Sequence, residues 1–140
     1  MPTILVTGAT AGLGLALSKL LLERTSSVLV LTARASSLPR FEAEGLVAGD
    51  RVRPMALDVT DAEQRRAVVE QITASLGGVD VLINNAGVAY RSVVEHVTEE
   101  EQLEQMAVNF RSRWSWRGWS CPACASSAAA ESSMSPRSGA

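Results

Sequence analysis

Lysine, tyrosine and histidine occur once each, as Lys19, Tyr90 and His96, in a chain of 140 residues. The lone histidine has no partner pattern around it and reads as a surface loop residue, so no metal centre is expected. Two cysteines do not make a disulfide scaffold. No apolar run approaches the ~18 residues that a bilayer-spanning helix needs. The N-terminus has neither a basic segment nor a long apolar one of the secretory kind. The expectation is a cytoplasmic protein with no membrane contact. An excess of positive charge is also missing: 13 basic and 15 acidic residues leave a net charge of −2, which argues against a nucleic-acid partner. The length suits about one domain, with enough chain to bury a core unaided.

One further absence is local. Leucine, valine and isoleucine supply 33 of residues 1–110 and none of residues 111–140. All three tryptophans, both cysteines and nine serines fall in that last stretch. The chain therefore reads as two texts, a partial domain over 1–110 and a low-complexity Ser/Ala/Trp/Arg tail over 111–140, expected to be disordered or irregular. Its composition is what a shifted reading frame of GC-rich coding sequence yields. The Arg/Trp alternation is too short for a stacking surface, and Cys121-Pro122-Ala123-Cys124 is half a zinc or redox site with no second half.

The first text alternates strands and helices. Thr3–Thr7 is a β-branched apolar run ending at Gly8, and Val28–Leu31 is a second. Val52–Leu57 is a third, with Pro54 suiting an edge position, and Val79–Asn84 is a fourth. Between them, residues 12–24 predict a helix with an apolar stripe of Ala16, Leu17, Leu20 and Leu21. Arg40–Val47 predicts a short helix, ended near Gly49. Thr60-Asp61-Ala62-Glu63 is the pattern of a capping box opening a helix to Leu76, stopped by Gly77-Gly78. A second such pattern, Thr98 to Glu101, opens a helix through at least Asn109. Buried strands joined by helices imply an α/β fold with a doubly wound parallel sheet.

The strongest local signal is Thr7-Gly8-Ala9-Thr10-Ala11-Gly12-Leu13-Gly14, where the first strand meets the first helix. Glycines there permit a tight turn, and equally the close approach of amides to a phosphate at a helix N-terminus. Asp58 follows the third strand, Asn84-Asn85-Ala86-Gly87 closes the fourth, and Asn109 lies in the last helix. In this order and spacing these motifs resemble the short-chain dehydrogenase/reductase family over residues 3–110. The resemblance implies a Rossmann-type sheet cut to four strands, order 3-2-1-4, that binds a nicotinamide dinucleotide. It implies that Gly8, Gly12 and Gly14 line the pyrophosphate, with Thr10 and Leu13 nearby. Asp58 would accept from the adenine amino group with Val59 beside the ring, and Asn85, Ala86 and Gly87 would meet the ribose and nicotinamide. Asn109 would correspond to the helix asparagine that holds a proton-relay water; otherwise it is simply a residue at the end of the readable helix. No acid ends the second strand. Arg34 stands there instead, where it can pair with a 2′-phosphate, so NADP(H) is favoured over NAD(H).

The family's chemistry uses a serine and a Tyr-x-x-x-Lys pair. Tyr90 and Lys19 are the only residues of their types and stand in the wrong order, so no such pair exists in these 140 residues. The expectation is an oxidoreductase's cofactor-binding part without turnover and without the subunit interfaces of the intact family. A non-catalytic dinucleotide-binding or interaction module is the alternative.

Overall fold

The computed structural model describes residues 1–89, 96–114 and 116 of the chain. Its elements are β1 (Thr3–Thr7), α1 (Gly12–Arg24), β2 (Val28–Ala33), a 3-10 turn (Ala35–Ser37), α2 (Pro39–Ala43), β3 (Val52–Ala56) and α3 (Ala62–Leu76). They are followed by β4 (Val81–Ile83), α4 (Glu99–Met106), a π-helical turn (Ala107–Arg111) and α5 (Ser112–Trp114). The four strands form one parallel sheet, as their apolar runs predict, in the order β3-β2-β1-β4 that the family resemblance implies.

β1 and β2 are apolar along most of their length because both of their faces are covered. Alternate side chains serve two cores. Ile4, Val6, Leu29 and Leu31 meet Phe41 and Leu46 on one face, with Leu15, Leu21 and Leu22 of α1 packed against them. Leu5 and Val30 meet Val68 and Ile72 of α3 on the other, with Val108 alongside. The edge strands are only partly buried, and Pro54 sits on edge strand β3, where its missing N–H costs least.

The buried face of α1 keeps Leu21 of the predicted stripe but is otherwise turned away from it. Gly14 and Ser18 are its buried residues, while Ala16 is exposed and Leu20 is 48% exposed. Small residues at 14 and 18 let the helix lie close over the chain beneath it, and Ser18 meets its polar requirement within the helix, its Oγ donating to the Gly14 carbonyl at 2.7 Å. Reading the stripe from apolarity alone therefore rotated it toward Leu17 and Leu20.

Boundaries also move: β2 runs on to Ala33, and β4 is shortened to Val81–Ile83. α2 starts at Pro39 and ends at Ala43, because Gly45 adopts φ 78°. The Leu46 and Gly45 amides then turn back onto the carbonyls of Phe41 and Glu42, at 2.8 and 3.0 Å. The cap of α3 is Asp61, whose carboxylate accepts from the amides of Glu63 and Gln64. Thr60 stands one residue outside the cap, and the Glu63 amide that it would have accepted from donates instead to Asp61 Oδ1 at 2.9 Å. The box at Thr98 and Glu101 forms as expected. Finally, the helical path continues past residue 110, and Ser112 and Trp116 are buried, Trp116 within the α3-side core. Packed chain thus extends into the compositionally distinct stretch. The readings of residues 117–140, including Cys121 and Cys124, lie outside the described residues, as does Tyr90.

These burial patterns reverse the order of importance that hydropathy assigns along α1. Ser18→Leu is expected to lower stability by about 1–3 kcal/mol through overpacking. Leu20→Ser is expected to stay within about 0.5 kcal/mol. Paired denaturant titrations measure both, and equal losses would contradict the observed face.

Candidate functional site

A parallel sheet sends all its strands out at one end, and in the order β3-β2-β1-β4 the connections leaving β1 diverge from those reaching β4. A crevice opens at that point. Here it is a cleft of about 580 Å³ formed by the loops after the four strands and by the α4 side.

The wall nearest the crevice is built from residues without side chains. A Cβ on Gly8 would stand 2.7 Å from the Ala86 Cα, and one on Gly14 would stand 2.5 Å from the Gly8 carbonyl and closer still to the Asn85 amide. Gly8 and Gly12 also adopt φ values of 65° and 53°. The loops after β1 and β4 are stitched together around Thr7. Its hydroxyl accepts from the amides of Asn85 and Ala86, both at 3.0 Å. The Asn85 side-chain amide donates to the carbonyls of Thr7 and Gly8, at 3.0 and 2.9 Å. At the other end of these strands, Thr3 N donates to Asp80 Oδ2 at 2.7 Å and Asp80 N to the Thr3 carbonyl at 2.9 Å.

α3 and α4 are capped by Asp61 and Thr98, but α1 has no side-chain cap at Ala11. The unclosed end of α1 opens on the cleft through Gly12 and Leu13. First-turn amides and the helix dipole there suit an anion. A Cβ on Gly12 would meet nothing within 4 Å, so the space above the turn is open for one. The cradle therefore fits a phosphate group.

The remaining loops bring opposite charges to the cleft. After β2 come Arg34, Ser37 and Arg40. After β3 come Asp58, Val59 and Thr60. Asp58 Oδ1 accepts from the Thr60 amide and hydroxyl, at 2.9 and 2.6 Å. α3 opens directly behind this loop. The Gln64 amide N–H, foremost, holds the Asp61 carboxyl below its ordinary value of 3.8, and the side-chain amide of Gln64 and the amide N–H of Glu63 assist.

Of the residues singled out in sequence, Gly8, Thr10, Gly12, Leu13, Arg34, Asp58, Val59, Asn85, Ala86 and Gly87 all line this one cleft. Gly14 and Asn109 do not. Gly14 lies beneath the loop against Asn85. Asn109 sits in the π-helical turn, where its amide pairs with the backbone of one residue, Oδ1 accepting from Val88 N at 2.9 Å and Nδ2 donating to Val88 O at 2.7 Å. It thereby holds the path of the chain after Gly87 in place. A serine beside Arg34 was expected to join it, and Ser37 does, but sequence reasoning missed Arg40. A second arginine six residues after Arg34 was visible, but only the 3-10 turn between them returns it to the cleft. Glu104 and Val108, one turn apart, also reach it from the α4 side, with no signal in the sequence.

Residues 2–116 match the family model described as short chain dehydrogenase. The 3-oxoacyl-[acyl-carrier-protein] reductase FabG of Vibrio cholerae is 41% identical over 108 residues, covering 77% of this chain and 43% of that protein. Gluconate 5-dehydrogenase of Gluconobacter oxydans is 38% identical over 109 residues, covering 75% and 41%. A solved short-chain dehydrogenase from Streptomyces avermitilis superposes with a TM-score of 0.71 at 30% identity, over 80% of this chain and 41% of its own. The chain spans less than half the length of these relatives.

Gly14→Ala is expected to destabilise more than Gly12→Ala. The first forces a Cβ into the Asn85 junction, whereas the second costs only about 1–2 kcal/mol of backbone strain. Denaturation midpoints of the two variants measure the difference. The Asp61 cap adds a pH dependence. A depressed carboxyl contributes stability that is fully present above 3.8 and fades as pH falls through its folded value. Asp61→Ala is therefore expected to destabilise at neutral pH and to converge with the unmodified chain in acid.

Proposed function

The chain belongs to the short-chain dehydrogenase family, whose members bind a nicotinamide dinucleotide, and from that membership we propose that its cleft holds NADP(H) in preference to NAD(H). The reading describes the cofactor-binding portion of an oxidoreductase acting on a carbonyl or alcohol. The observation that carries it is the uncapped, glycine-lined end of α1 opening on the same cleft as Arg34, Ser37 and Arg40. In this reading the amides of the Gly8–Gly14 turn hold the pyrophosphate, with Thr10 and Leu13 beside it. Arg34 pairs with the 2′-phosphate, and Arg40 and Ser37 add a second cation and a hydroxyl donor. Asp58 accepts from the adenine amino group, with Val59 against the ring. Asn85, Ala86 and Gly87 border the nicotinamide ribose.

A bound cofactor supplies the hydride that leaves or returns to the nicotinamide ring. The residues described here bind and orient. Asn109 acts through Val88, keeping the nicotinamide-side loop in register with the glycine turn. With Tyr90 and Lys19 as the only residues of their kinds, these 140 residues are proposed to bind cofactor without turning it over.

Fluorescence titration tests the preference. NADPH is expected to bind the 140-residue chain at least about tenfold more tightly than NADH, the scale of a charge-assisted contact. The double variant Arg34→Ala/Arg40→Ala is expected to lose that preference with little change for NADH. Equal affinity for both cofactors in the unmodified chain would overturn it. NADPH oxidation by the purified chain on a carbonyl substrate would overturn the absence of turnover.

A further inference from the structure

We propose that Gln64 and Arg65, adjacent in the first turn of α3, are positioning residues that hold the Asp58 carboxylate toward the adenine; this rests on the dinucleotide reading above.

The two side chains grip the loop from behind on either side of its acid. Gln64 Oε1 accepts from the Asp58 amide at 2.8 Å, while its Nε2 donates to Asp61 Oδ2 at 3.0 Å. Arg65 Nη1 donates to the Val59 carbonyl at 2.6 Å. The peptide groups before Asp58 and after Val59 are thereby both tied to one rigid helix turn. Within the loop, Thr60 takes Asp58 Oδ1 with its amide and its hydroxyl. Among the described residues Oδ2 has no hydrogen-bond partner, and Asp58 lines the cleft. One carboxylate oxygen is locked and the other is left to accept.

The burial of Arg65 marks it as more than a packing residue. It is 8% exposed and lies on the inward stripe of α3 with Val68 and Ile72. An apolar residue would serve that stripe without the desolvation cost of a guanidinium. Its guanidinium donates to the carbonyl of a cleft residue, Val59. A carboxylate that must meet an exocyclic amine in the plane of a ring gains from such fixation, because the order is already present before the ligand arrives.

Adenine and hypoxanthine differ at the atom in question: the first presents an amino donor at C6, the second a carbonyl oxygen that a carboxylate repels. The test titrates the 140-residue chain with NADPH and with its hypoxanthine counterpart. The unmodified chain is expected to prefer NADPH by about tenfold or more, and Arg65→Met and Gln64→Ala each to bring the two ligands within about twofold, chiefly by weakening NADPH. Arg65→Lys, which keeps a donor, is expected to restore part of the ratio. Gln64 is exposed, so its variant carries the test even where Arg65→Met fails to fold. Variants in which both affinities fall together, with the ratio intact, would show a merely structural role and overturn the proposal alone. An unmodified chain that binds neither ligand, or both equally, removes the adenine reading of Asp58 and the proposal with it.

Discussion

The rest of the site depends on the junction at the end of β1, where Thr7, Gly8, Gly14, Asn85 and Ala86 meet with no room for another carbon. Thr7 Oγ1 collects the amides of Asn85 and Ala86, and the Asn85 amide returns to the carbonyls of Thr7 and Gly8. Chain segments far apart in sequence are joined by hydrogen bonds between groups that folding would otherwise leave unsatisfied. Because the contact is made by backbone and by glycines, α1 starts where it does and aims its uncapped end at the cleft. The same junction, with the Thr3–Asp80 pair at the opposite end, sets the register of the short edge strand β4.

Above that junction the cleft is polar and divided. Backbone amides at the α1 end and two arginines after β2 provide positive potential, while Asp58, after edge strand β3, provides an acceptor. Among the described residues neither arginine is ion-paired with Asp58. The ion pair between Lys19 and Glu44, at 2.9 Å, lies on the exposed α1–α2 surface and contributes little to stability. What holds the charged loops in place is hydrogen bonding from the helices behind them: α3 on the Asp58 loop through Gln64 and Arg65, and the π-helical turn on the Gly87 loop through Asn109.

Small and polar residues hold several positions in this architecture that hydropathy would assign to apolar ones. Ser18 and Gly14 form the close side of α1, Thr32 is buried with its hydroxyl donating to the Val6 carbonyl at 3.1 Å, and Arg65 occupies a core-facing position on α3. Each is legible as a core residue only once its partner is known. At the C-terminal side, Ser112 and Trp116, which lie beyond the last branched aliphatic residue, are buried, Trp116 in the core on the α3 side.

The sequence by itself determined the strand-helix alternation and a parallel sheet, while the strand order and most residues of the cleft came from the family resemblance that its motifs carry. Short apolar runs, helix periodicity and glycine spacing are local properties that each segment carries on its own. It also determined that no Tyr-x-x-x-Lys pair is present in these residues, which is a matter of counting. Tertiary structure alone decided which side of α1 is inward, that Asp61 rather than Thr60 caps α3, and that Arg40 joins Arg34 at the cleft. Those outcomes turn on competition between partners. Thr60 loses its capping role because Asp61 takes the Glu63 amide, and Leu20 faces outward because Ser18 fits where a leucine would not.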